Sequence, residues 1–227
     1  MRGMSHIEMV LAFLLFLGAV MFSLIFLQNS KHVQTTTYES DSVVRSIVHN
    51  ITVPAIFQTI VFNTSTTNQI IALPFSSVMP VVVVNVSGAS LLGSYNDGLL
   101  TINRKDGGRV ATIVASSGVE TGAQALQGVA DARAYTLGVS QERTLPAVLM
   151  IVGLARSYQD AYLETKTALG IPSGTEFGFT LHNETGILIG AQRAIPAGVS
   201  IVNKKERMEF LLPNGRTSFL ELEVQAW

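Results

Sequence analysis

From Met9 to Leu27 the chain carries no charged residue, and Ser23 is the only polar member of the run. As a helix this run is about 28 Å long, enough for a hydrocarbon core of about 30 Å. No polar face interrupts it, so the pattern predicts a transmembrane helix rather than a half-buried helix of a soluble domain. Gln28 to Ser40 is polar and Thr-rich and reads as an extension of that helix or a short stalk. From Asp41 onward Val43, Val44, Ile47, Val48 and Ile51 recur at i, i+3/i+4 spacing, which predicts a helix over about 42–52. Asp41 or Ser42 is suited to cap it, and Pro54 lies beyond its end.

The pattern then changes to a strand period. Residues 68–73 and 78–86 are rich in Val and Ile, and Val81–Val84 reads as a buried strand because β-branched side chains favour strands. Residues 99–103 and 109–115 flank Lys105-Asp106-Gly107-Gly108, which predicts a hairpin. Residues 116–141, rich in Gly, Ala and Gln, read as a loop with one short helix. Residues 144–152 read as a buried strand, with one long helix over 149–169 as the alternative; the preferred helix covers about 157–169. Ser157 and Asp160 would cap that helix, Tyr158, Tyr162, Thr165 and Leu169 would share one face, and Gly170 and Pro172 would end it. Strand-like stretches follow at 177–181, 187–189, 199–202, 207–212 and 219–227, with Pro213-Asn214-Gly215 as a strong hairpin turn. In the last stretch Leu220, Leu222, Val224 and Ala226 alternate with Glu221, Glu223 and Gln225. The two glutamates are expected on the solvated face of an edge or hairpin strand.

The residues before the apolar run change this picture. Arg2-Gly3 precedes Met4-Ser5-His6-Ile7-Glu8, and the apolar stretch begins at once. A carboxylate beside hydrocarbon is costly unless something compensates it. An ordinary secretory signal would have a shorter apolar region and a small-residue cleavage site, whereas Gln28-Asn29-Ser30-Lys31 follows here. A plain uncleaved anchor gives Glu8 no role. The segment Arg2 to Leu27 resembles the class III signal sequence of type IV prepilins and their archaeal pilin-like relatives: a short basic leader ending in Gly, a cut after it, Glu as the fifth mature residue, then an unbroken apolar helix. The resemblance implies cleavage at Gly3–Met4 by a prepilin peptidase, and pairing of Glu8 with the freed amine of a neighbouring subunit. It also implies an N-terminus in the cytoplasm, the rest of the chain outside the cell membrane, and entry into a cell-surface filament. The leader is short, the helix has Gly18 but no proline, and no cysteine pair closes a C-terminal loop; the last point favours the archaeal relatives.

The expected fold class is therefore α+β: a long N-terminal hydrophobic transmembrane helix followed by a β-rich, antiparallel extracellular head with one or two further helices. The expected segments are a leader at 1–3, the apolar helix at 4–30, a stalk and helical extension at 31–56 and the head at 57–227. The expected partners are membrane lipid, the peptidase, like subunits and their assembly machinery. The alternative is a single-span surface binding domain of adhesin type that does not polymerise.

Composition narrows the chemistry. The 227 residues contain 15 basic and 16 acidic side chains, for a net charge of −1, with no basic block of the kind that binds nucleic acid. There is no cysteine, so disulfides and thiolate chemistry are excluded. The four histidines, His6, His32, His49 and His182, show no metal-ligand spacing. No nucleophile elbow, P-loop or dinucleotide fingerprint occurs, so no cofactor, metal or catalytic residue is expected. Asp97, Asp106 and Asp131 read as turn formers. Four N-x-S/T sequons lie beyond the apolar run, at Asn50, Asn63, Asn85 and Asn183, and are candidate N-glycosylation sites on an external surface.

Overall fold

The structure is a computed structural model that describes residues 6–63, 70–91, 93–96, 98–104, 108–120, 129–130 and 134–227. One helix, α1 (His6–Ile51), leads into β1 (Thr52–Phe62). There follow β2 (Ile70–Pro74), β3 (Val81–Asn85), β4 (Ser90–Leu91), β5 (Gly93–Asn96), β6 (Leu99–Asn103), β7 (Val110–Ser116), β8 (Val129–Ala130) and β9 (Tyr135–Pro146). The chain then forms α2 (Val148–Asp160) and α3 (Tyr162–Ala168), and ends in β10 (Phe177–Asn183), β11 (Gly186–Ala191), β12 (Val202–Leu211) and β13 (Thr217–Ala226).

The strands form three sheets. Their orders are β4-β3-β7-β1-β9, β5-β6-β2-β8 and β11-β10-β13-β12. The first two share a core: Ile60, Phe62, Val81, Val83, Ala111, Ile113 and Ala115 of the five-stranded sheet meet Ile71, Leu73, Leu100 and Ile102 of its partner. The other face of the five-stranded sheet presents Val53, Ala55, Val82, Val84 and Val114, which pack with Val119, Ala147 and Leu211. That division explains the four consecutive valines. Side chains alternate across a strand, so Val81 and Val83 enter one core while Val82 and Val84 enter the other. The run is apolar throughout because this strand is covered on both sides.

The third sheet carries the helices. Leu220, Leu222 and Val224 of β13 and Phe177, Phe179 and Leu181 of β10 form a third core with Val43, Val44, Ile47 and Ile51 of α1 and Ile151, Leu154, Ala155 and Tyr158 of α2. The alternation read in the last strand is the alternation observed: Leu220, Leu222, Val224 and Ala226 are all buried. The Pro213-Asn214-Gly215 turn joins β12 to β13, which pair antiparallel from Val202↔Ala226 to Leu211↔Thr217. The turn is also tied to the loop after β7, because Glu120 N donates to Pro213 O at 2.9 Å. Gly215 has φ of 83°, and a Cβ there would lie 2.4 Å from Val82 Cγ1. Only glycine supplies both that conformation and that close approach.

Several expectations are corrected. The transmembrane helix of the expected fold class is one: among the described residues no helix is long and apolar enough to cross a membrane. The apolar part of α1 whose side chains are described is 10–25, roughly 24 Å against about 30 Å of hydrocarbon. The head is not purely antiparallel either, since β2 and β8 pair parallel and Ala147 and Leu211 form a parallel bridge. The helix over 42–52 has no separate start, because α1 is continuous to Ile51, and Asp41 binds Lys204 rather than capping.

The hairpin over 99–115 does not form: β6 pairs with β2 and β5, and β7 pairs with β1 and β3. Each of those strands finds its partner in a different sheet, so local turn chemistry is overridden by two separate cores. Of residues 144–152 only 144–146 belong to a strand, and the alternative helix over 149–169 is the nearer reading, interrupted at Ala161 between α2 and α3. β9 ends at Pro146 and α2 begins at Val148, so Ser157 and Asp160 end a helix instead of starting one. The apolar run there is the buried face of a helix, which periodicity over so short a stretch does not separate from a strand. Asp97, Asp106 and Asp131 lie outside the described residues.

Candidate functional site

α1 has two halves with opposite environments. In its last turns Val43, Val44, Ile47 and Ile51 are at most 2% exposed. They are held against β12 and β13, and Ala147 N donates to Ile51 O at 2.9 Å where the helix gives way to β1. Asp41 accepts from Lys204 Nζ at 2.7 Å across this seam. The Lys204 hydrogen bond outweighs desolvation and, with the nearby charges of Lys204 and Arg45, holds the Asp41 carboxyl below its ordinary range. The pair is partly exposed, so it orients more than it stabilises.

Over 10–25 no described residue of another element covers the same helix. Val10, Leu11, Phe13, Leu14, Leu15, Phe16, Met21, Phe22, Leu24 and Ile25 are each more than half exposed. The apolar side chains point to every side, and Ser23 turns inward by donating to Ala19 O at 2.8 Å. Gly18 meets no atom of another element. Apolar surface of this extent exceeds what folded soluble monomers usually leave exposed.

Of the sequence-derived site residues, Gly3 and Met4 lie outside the described residues. Glu8 falls within α1, and its side chain lies outside the described residues. The four sequon asparagines are distributed over the head and its junction with α1. Asn50 is exposed in the last turn of α1, but Thr52 Oγ1 donates to Val48 O at 2.5 Å, away from Asn50. Asn63 is exposed just after β1, and its N–H donates to Ala134 O at 2.8 Å; residues 64 and 65 of its sequon lie outside the described residues. Asn85 ends β3 and Asn183 ends β10, each at a turn.

The head also contains a polar cluster that the sequence did not announce. Glu176 accepts from Tyr162 Oη at 2.5 Å and from Lys166 Nζ at 2.9 Å, and Arg193 lies 3.8 Å away. Burial raises the Glu176 pKa, but these three partners outweigh it and hold the carboxyl below its usual range. Lys166 is 4% exposed and also donates to Ser173 O. Tyr158 donates to Phe177 O at 2.5 Å, and burial pushes its hydroxyl up to about 12. Arg193 sits 4.4 Å over the Tyr162 ring, and Tyr162 stacks on Phe177. The i, i+4 pair Tyr158/Tyr162 was the one available signal, although the helix is interrupted at Ala161 between them. Every charged group in this cluster is matched by a partner: Lys166 is buried, while Glu176 and Arg193 are partly exposed at the surface.

β13 is a hairpin strand with β12, as expected, and lies between β10 and β12, but Glu223 does not stand on a solvated face. Glu223 is 12% exposed and meets Lys205 at 3.1 Å, His182 at 3.2 Å and Asn203 at 2.6 Å; Glu221 keeps one partner, Lys205, at 3.1 Å. Among the described residues no group of three or more His, Asp or Glu side chains is arranged to hold a metal ion. No protein-family model, curated protein or solved structure matches the chain significantly.

Proposed function

We propose that this chain is a non-enzymatic, type IV pilin-like subunit that assembles with copies of itself into a cell-surface filament through the apolar half of α1. One observation carries the reading: the same helix is sealed onto the head at Val43–Ile51 and uncovered on all sides at 10–25. Burying each large apolar side chain of that half is worth about 1.5–3 kcal/mol. Like helices packed side by side supply that burial around the whole circumference, which a single groove on one partner would not. The reading includes cleavage after Gly3, leaving Met4 as the new N-terminus and Glu8 as its fifth residue, free to pair with a neighbour's amine. Two opposite charges in a poorly hydrated bundle are tolerable together and costly apart.

The test is the mature N-terminus and the assembly state of the chain produced in cells that contain a prepilin peptidase. The expected results are a chain beginning at Met4, filaments labelled by antibody to the head, and loss of processing in Gly3→Asp. Glu8→Ala should be processed yet fail to enter filaments. A chain that keeps Met1 in such cells, or Glu8→Ala filaments formed at normal yield, refutes the reading.

A further inference from the structure

We propose that the folded head is an N-glycosylation acceptor at Asn85 and Asn183 and is closed to that modification at Asn50. The inference is separate from the filament reading and does not need the chain to assemble.

The two sites are built alike. At the end of β3, Asn85 Oδ1 accepts from Ser87 Oγ at 2.7 Å and from Ala89 N at 2.8 Å. At the tip between β10 and β11, Asn183 Oδ1 accepts from Thr185 Oγ1 at 2.7 Å, Thr185 N at 2.9 Å and Gly186 N at 2.9 Å. In both, the hydroxyl two residues on is bonded to the asparagine's own amide oxygen, so the two groups a transferase reads are already side by side. In each asparagine the turn is bonded to the amide oxygen, and among the described residues no buried, unpaired side-chain nitrogen occurs at either site. Asn85 and Asn183 are half-buried, and the two residues after each, Val86, Ser87, Glu184 and Thr185, are exposed. Replacing one Nδ2 hydrogen by a sugar leaves every bond to Oδ1 in place, so the turns carry a glycan without losing a contact.

Asn50 has the same sequence signal in the opposite setting. Ile51 is fully buried, its carbonyl accepts from Ala147 N, and the Thr52 hydroxyl is committed to Val48 O. Reading that tripeptide requires opening the junction between α1 and β1.

The reaction needs a sugar carried on a lipid diphosphate. Asn Nδ2 forms a bond to the anomeric carbon and the bond from that carbon to the phosphate oxygen breaks. The lipid diphosphate leaves with the electron pair, and one amide proton passes to a base of the transferase. Nothing is oxidised or reduced.

The test uses the full chain in detergent, a purified oligosaccharyltransferase and a lipid-linked oligosaccharide, with site occupancy read by peptide mass spectrometry. Synthetic peptides spanning residues 46–54, 81–89 and 179–187 serve as unfolded references. We expect sugar at Asn85 and Asn183 of the folded chain, and modification of Asn50 slowed about tenfold or more against its own peptide, because local opening must precede it. Ser87→Ala and Thr185→Val should each abolish one site without lowering the melting temperature, since Ala89 N, Thr185 N and Gly186 N still bond to the asparagines. An unmodified Asn85 or Asn183 in the folded chain, Asn50 modified as fast as its peptide, or sugar retained in the hydroxyl variants overturns the proposal.

Discussion

Gly215→Ala tests whether the turn between β12 and β13 is a docking point or merely a turn. The residue has φ of 83°, and a side chain in that conformation costs about 1–2 kcal/mol. Fewer unfolded conformations return about 0.4–1 kcal/mol of that. The second cost is steric: the new Cβ would meet Val82 Cγ1 at 2.4 Å and Val114 Cβ at 3.5 Å. Neither valine can retreat, since Val114 is fully buried and Val82 is 6% exposed. Nor can the turn lift freely, because Pro213 O is tied to Glu120 N and Asn214 Oδ1 accepts from Arg216 N. Overpacking of this kind costs about 1–3 kcal/mol. Gly198→Ala is the matched control, with the same φ of 83° and no atom within 4 Å of the new Cβ. The difference between the two variants isolates the packing cost, about 2 kcal/mol, or about 4–8 °C in melting temperature for a chain of this size. Thermal unfolding followed by circular dichroism reads it. Equal melting temperatures for Gly215→Ala and Gly198→Ala would refute the docking of this turn on the five-stranded sheet.

Two further predictions concern the third core. Ile47→Ala should destabilise the chain by about 2–5 kcal/mol in urea unfolding, because Ile47 is fully buried between α1 and the sheet; Asp41→Asn at the exposed end of the same seam should change little, and a larger loss from Asp41→Asn than from Ile47→Ala would reverse our account of what holds the helix. Tyr158 is buried and Tyr162 half-buried, and desolvation raises both hydroxyl pKa values above 10.0. The unfolded chain therefore releases these protons first, and stability is full below pH 10 and falls as pH rises above it. Melting curves across that range should show the fall, and Tyr158→Phe should flatten it.

The sequence was legible where one rule acted alone. The β12–β13 turn and the alternation in β13 were read correctly because Asn-Gly and a period of two refer to neighbours in the chain. Val81–Val84 was legible as a strand, but not the fact that its two faces serve different cores. Where distant partners decide, local signals misled: the Lys105–Gly108 stretch has good turn residues, yet β6 and β7 belong to different sheets. Val148–Leu154 was ambiguous because a helix end buried on Phe177 and Phe179 is as apolar as a strand. The charged network of Glu176, Lys166 and Arg193 spans three separate segments, so no spacing could reveal it. The sequons illustrate the same limit at the candidate sites. All four were equal as tripeptides, and only the turn geometry at Asn85 and Asn183 separates them from the helix-to-strand junction at Asn50.

That junction also bears on assembly. α1 passes into β1 between consecutive residues, Ile51 and Thr52. Ile51 is fully buried there, its carbonyl is bonded to Ala147 N, and Ala147 in turn bridges to Leu211 of β12. Helix, five-stranded sheet and third sheet therefore meet at one packed point, with no flexible spacer between the last helical turn and the first strand. A head joined in this way has its orientation set by the helix. In a bundle of such helices, the rotation and rise of one helix against the next fix where each head stands and which surface it turns outward. In the proposed filament the apolar half of α1 would associate with its copies, and a head joined to it without a spacer would be placed by that association.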